Sequence, residues 1–113
     1  RALIYHPPIL LMDEPFGALD EFTRDRLNLL LLQVWEKIRA TIIFVTHSIT
    51  EALFLSDRVI MLSSRPGRVM TMVDVPFARP RNFDIRFTPK FTEMTAELRH
   101  MLQLREVGNG NES

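Results

Sequence analysis

The sequence predicts an α/β layered domain, on three observations. Two short apolar runs, Ile9–Met12 and Thr41–Thr46, lack polar/apolar alternation and carry the character of strands covered on both faces. A stretch with helical period, Asp20–Ala40, lies between them. Each run also ends on groups capable of chemistry: Asp13-Glu14 after the first and His47 after the second. Strand, helix, strand in that order is the repeating unit of layered α/β folds, and their ligands gather beyond the carboxyl ends of the strands.

Taken in order, Pro7-Pro8 stops whatever precedes the first run, because neither residue offers an N–H and each fixes its own φ. Pro15 and Gly17 break the chain again after Glu14. In the helical stretch Leu27, Leu31, Val34 and Ile38 form an apolar stripe, and Phe22, Arg26 and Leu30 fall four apart. Trp35 is expected to pack. Ser48 is placed to cap a second, short helix through Ala52, Leu53 and Leu55, with Glu51 three residues on as its capping-box partner.

Val59–Leu62 and Val69–Val73 are strands on either side of Ser64-Arg65-Pro66-Gly67-Arg68, whose Pro and Gly suit a type II turn, so residues 59–73 should form a hairpin. Met61, Met70 and Met72 fall on these strands and are expected in the core rather than on a metal. Pro76, Pro80 and Pro89 make the following stretch extended and irregular. Phe91, Met94, Leu98 and Met101 then mark an amphipathic terminal helix, and residues 108–113 are a polar end expected to fray.

Composition narrows the function. The 113 residues are 46% hydrophobic, enough for a core, so the chain is not a disordered tail. Fourteen basic side chains balance fourteen acidic ones, which removes the footprint of a nucleic-acid binder. Five arginines do lie between Arg58 and Arg81. With no cysteine, disulfides and thiolate metal sites are excluded. No stretch approaches the ~18–20 apolar residues of a membrane-spanning helix. The chain opens on Arg1-Ala2-Leu3-Ile4, without Met or signal-peptide architecture, and reads as cut from something longer.

Asp13 and Glu14 are the first chemical pair. A carboxylate ending an apolar strand can hold Mg²⁺, directly or through water, and a second one beside it can polarise a water for attack. Taken alone, an apolar run ending in two acids is as readily a pair of solvated side chains opening a loop. His47, thirty-four residues beyond Asp13, reaches the same sheet edge, and its neutral ring carries one donor and one acceptor. His6 and His100 lack such surroundings and read as surface residues. Asp20 is placed to cap the long helix.

Ile9-Leu10-Leu11-Met12-Asp13-Glu14-Pro15-Phe16-Gly17-Ala18-Leu19-Asp20 as a whole resembles the Walker B and D-loop of ABC-transporter ATPases, and Val45-Thr46-His47-Ser48 resembles their H-loop. The hairpin with Ser64-Arg65-Pro66-Gly67-Arg68, followed by Asp74-Val75-Pro76-Phe77 and Arg79-Pro80-Arg81, is similar to the ATPases of nitrate/sulfonate/taurine-type importers. The resemblance implies the C-terminal half of a P-loop nucleotide-binding domain, a mostly parallel sheet flanked by helices with a β-hairpin and a C-terminal helix. Residues 1–77 would belong to the ATPase core, 78–107 to a family-type extension, and 108–113 to the tail.

It further implies ATP and Mg²⁺ as ligands, Asp13 on the metal side, Glu14 as catalytic base, and His47 at the γ-phosphate and attacking water. Gly17, Ala18, Leu19 and Asp20 would lie at a dimer interface. Implied partners are a second ATPase subunit, identical or not, a membrane-spanning permease, and, indirectly, an extracytoplasmic solute-binding protein, with no nucleic acid. The location would be peripheral, on the cytoplasmic face of the cell membrane. Neither Lys37 nor Lys90 follows a glycine, so the sequence holds no Walker A, and it holds no LSGGQ-like signature. On its own the chain is therefore expected to be inactive. Two other functions share these motifs: a non-transport ABC ATPase acting in DNA repair or translation, and a non-catalytic remnant that binds a partner.

Overall fold

A computed structural model describes residues 8–64 and 67–111, with side chains to 104. The chain divides along its sequence into two compact units, with the division between His47 and Ser48.

The first unit is β1 (Ile9–Asp13), α1 (Glu21–Ile38) and β2 (Thr41–Val45). The strands pair in parallel, with Ile9 opposite Thr41 and Asp13 opposite Val45. Parallel neighbours need a long crossover, and α1 supplies it. Asp20 caps α1 by accepting from the Thr23 N–H at 3.0 Å. The helix ends at Arg39, whose left-handed φ of 52° turns the chain into β2 while its N–H donates to the Trp35 carbonyl. Trp35 packs as expected: its indole N–H donates to the Ala40 carbonyl at 2.7 Å and the Arg39 guanidinium lies over its ring.

Burial departs from the expected pattern here. Ile9 and Leu11 are each 71% exposed, and Ile43 and Val45 are also exposed, so β1 and β2 are not the doubly covered strands their composition suggests. On α1 the buried positions are Asn28 and Leu32, whereas Val34 and Ile38 of the expected stripe are exposed. Among the described residues of this unit, a two-stranded sheet and one helix are what is available to cover those faces, which is too little for strands of this kind.

The second unit is α2 (Ile49–Leu55), the hairpin β3 (Arg58–Leu62) and β4 (Val69–Asp74), a 3-10 turn at Phe83–Phe87, and α3 (Pro89–Asn111). Ser48 caps α2 as expected, its Oγ accepting from the Glu51 N–H. The strands are antiparallel, with a bulge between Met61 and Leu62. The α/β character and the hairpin are as expected, but the described residues form one parallel and one antiparallel pair and do not confirm a mostly parallel sheet. The tight reversal between β3 and β4 admits no other sense of pairing. Gly67 takes the positive φ of 77° that the third position of a type II turn requires; Pro66 lies outside the described residues.

Leu53, Met61, Phe91, Met94 and Leu98 form the core of this unit, so the periodicity read from Phe91 to Leu98 holds. Met61 packs there, but Met70 and Met72 lie on the exposed side of the hairpin with Ile60 and Leu62. Between the prolines the chain is less irregular than expected. Asn82 caps the 3-10 turn by accepting from the Asp84 N–H at 2.8 Å, and Phe83 stacks on Phe54.

Two arginines tie this segment to the end of α2. The Arg81 side chain, 1% exposed, donates through Nη1 to the carbonyls of Leu53, Phe54 and Ser56. Its Nε and Nη2 both reach the Phe77 carbonyl. Arg79 donates to the Leu55 carbonyl and to Asp57. Four successive carbonyls that the helix leaves without internal partners are thus satisfied. Burial lowers the Arg81 pKa to about 10; nearby Arg79 adds to the shift and Asp57 opposes it. The guanidinium remains a cation at neutral pH.

Candidate functional site

The carboxyl edge of the β1–β2 pair gathers the residues singled out in the sequence. Asp13 and Val45 are the last paired residues, and the Glu14 N–H adds one more bond, to the Val45 carbonyl at 2.8 Å. Glu14 therefore begins its turn while still anchored to β2. It takes φ 46°, the left-handed region, which costs a non-glycine residue about 1–2 kcal/mol. The bend expected from Pro15 and Gly17 is thus made at Glu14 itself. Gly17 has no need of glycine's freedom, since a Cβ there would meet only ordinary contacts with Glu14.

The turn brings Glu14 Oε1 to 3.0 Å from His47 Nε2. His47 lies two residues past Val45 on the neighbouring strand, and parallel pairing puts both groups at one edge. The imidazole is 87% exposed and the carboxylate 42%, so the pair is open to an incoming ligand. Screening by water makes its net stabilisation small. A backbone held in an uncommon conformation at the point where two candidate site residues meet is the pattern expected of a site rather than of a packing detail.

The loop from Pro15 to Asp20 is largely exposed, Gly17, Ala18 and Leu19 included. The Gly17 N–H donates to the Glu14 carbonyl and the Leu19 N–H to the Phe16 carbonyl. The Phe16 ring tilts against Phe44 of β2, 5.8 Å between centroids. The Asp20 carboxyl is held below the usual carboxylate range, first by the Thr23 hydroxyl at 2.7 Å and then by the Thr23 N–H.

Asp13 is exposed at the end of β1. Among the described residues no three His, Cys, Asp or Glu side chains cluster to hold a metal ion. One exposed carboxylate beside an open edge fits a hydrated Mg²⁺ carried by phosphates, which seldom uses an all-protein cage. His100 is exposed, as expected of a surface residue, and His6 lies outside the described residues. Sequence reasoning missed Phe16 and Arg24, the side chains that pin the loop. An arginine four positions after a helix cap, next to a stretch rich in free carbonyls, was the available signal. No described helix is long and apolar enough to cross a membrane.

The chain has clear relatives among known proteins. The chain is 46% identical over 111 residues to the taurine import ATP-binding protein of Rhizobium johnstonii, a match covering 94% of this chain and 42% of that protein. It is 49% identical over 82 residues to the aliphatic sulfonates import ATP-binding protein of Bacillus thuringiensis, covering 73% and 33%. To the nitrate import ATP-binding protein of a Synechocystis species it is 38% identical over 113 residues, covering 95% and 42%. No protein-family model matches. The chain spans about two fifths or less of the length of these relatives. Over the length it shares with them, the chain belongs to the family of ABC import ATP-binding proteins.

Proposed function

We propose that this chain carries the hydrolytic half of the nucleotide site in the ATPase subunit of an ABC importer for a small anionic or organic solute of the nitrate, sulfonate or taurine kind. The observation that carries the proposal is the Glu14–His47 contact at 3.0 Å, beside Asp13 at the carboxyl edge of two parallel strands. Glu14 accepts the proton of a water that attacks the terminal phosphate of ATP, and the Nε2–H of His47 holds the carboxylate in place. Asp13 is the carboxylate for Mg²⁺, which supplies charge neutralisation at the phosphate oxygens when bound with nucleotide. Catalysis of this kind is mostly positioning and electrostatics, and a fixed left-handed turn at Glu14 serves the first.

The same reading assigns Gly17, Ala18, Leu19 and Asp20 to the interface with a second ATPase subunit. The remaining partners are a membrane-spanning permease and, through it, an extracytoplasmic solute-binding protein, on the cytoplasmic face of the membrane. Residues 78–107 form a family-type extension to the ATPase core. The exposure of the 17–20 loop and the names of the relatives support this assignment.

The test is Glu14→Gln in the longer protein that contains this segment. The amide keeps the shape and loses the basicity, so ATP binding is expected to stay within about twofold while turnover falls by about 10²-fold or more. Turnover close to normal in that variant would remove Glu14 from the role of base.

A further inference from the structure

Arg24 stands one turn into α1, and its guanidinium reaches back over the loop that leaves β1. Its Nε donates to the Phe16 carbonyl at 3.2 Å, and its Nη2 to the carbonyls of Gly17 at 3.1 Å and Leu19 at 3.4 Å. Three carbonyls of one short loop therefore converge on a single rigid fork of donors. The loop has little else. Its apolar anchor is the Phe16 ring on Phe44, and its two internal turn bonds are both 3.2 Å. At its head Glu14 sits at φ 46°, a conformation that persists only where the surroundings hold it.

We infer that Arg24 is the positioning residue of this site: it braces residues 16–19 so that Glu14 keeps its left-handed turn and its contact with His47. Two further features fit a brace rather than a surface charge. Asp20, between the loop and Arg24, is fixed by both Thr23 groups, so loop and helix are joined at that end. The bonds are to carbonyls, which makes the planar guanidinium hard to replace; a lysine ammonium is one point donor on a flexible stem and reaches fewer of them at once. The catalytic consequence rests on the proposed ATPase function; the brace itself does not.

The experiment compares Arg24→Ala and Arg24→Lys. Amide hydrogen exchange on the 113-residue chain is expected to speed up about tenfold at Gly17 and Leu19 in Arg24→Ala, and less in Arg24→Lys, while Leu31 and Leu32 in α1 stay within about twofold. In the ATP-hydrolysing longer protein, Arg24→Ala is expected to lower kcat about tenfold with KM for ATP within about twofold, and Arg24→Lys to recover part of the loss. Unchanged exchange at Gly17 and Leu19, an equal rise throughout α1, or an unchanged kcat would each overturn the inference. Failure of the base assignment shows instead in Glu14→Gln, so the two are read on different variants.

Discussion

The two units of the chain treat apolar residues in opposite ways. In the second, Leu53, Met61, Phe91, Met94 and Leu98 close around one another, and even a guanidinium is buried because four α2 carbonyls receive it and Arg79. In the first, strands of similar composition stand with Ile9, Leu11, Ile43 and Val45 exposed. Both sequences are apolar enough for a core, but among the described residues only the second unit closes one. The first holds instead the exposed edge with Glu14 and His47. The buried core and the candidate site thus lie in different units of the chain.

The sharpest way to break this contrast is a pair of truncations. Leu98→Ala, at a site 2% exposed, is expected to cost about 3–4 kcal/mol of the stability of the second unit. Leu11→Ala, at a site 71% exposed, should stay within about 0.5 kcal/mol. Urea unfolding of the 113-residue chain followed by circular dichroism measures both, and Trp35, the single tryptophan, reports the first unit separately. Equal costs would mean that the first unit is as well packed as the second.

Arg81→Met comes next. It keeps much of the length of the side chain but leaves the carbonyls of Leu53, Phe54, Ser56 and Phe77 without this donor, at an expected cost of about 2–3 kcal/mol in the same measurement. A neutral result would reduce the arginine to packing.

The smallest effect has the opposite sign. Glu14→Gly removes the penalty of φ 46°, offset in part by the greater freedom of glycine when unfolded, so a gain of about 0.5–1 kcal/mol is expected. Turnover by the proposed ATPase should be lost together with the carboxylate. A loss of stability would show that the Glu14–His47 contact outweighs the backbone strain.

These comparisons also mark how much was legible beforehand. The parallel pair, the hairpin, both helix caps and the placing of Asp13 and His47 at one sheet edge all follow from local pattern and strand order, which act over short distances or through one crossover. The 3-10 turn between the prolines was not legible: its cap at Asn82 is local, but the stacking of Phe83 on Phe54 depends on a neighbour far away in the chain. Nor was the exposure of β1. An unalternating apolar run states what a strand can bury, whereas only the presence of other elements decides what it does bury.

By itself the sequence determined which candidate groups stand at the strand ends, Asp13, Glu14 and His47, and that one sheet edge would hold them. It also determined the family, since the run from Ile9 to Asp20 and the segment around His47 resemble ABC ATPases before any fold is known. Only the tertiary structure decided that the bend falls on Glu14 rather than Gly17, that Arg24 reaches three loop carbonyls, and that Arg79 and Arg81 close the end of α2. The reason is common to all three. Residue types and spacing fix what a group can donate or accept, but its partners are chosen by backbone dihedrals and by segments that only folding brings together.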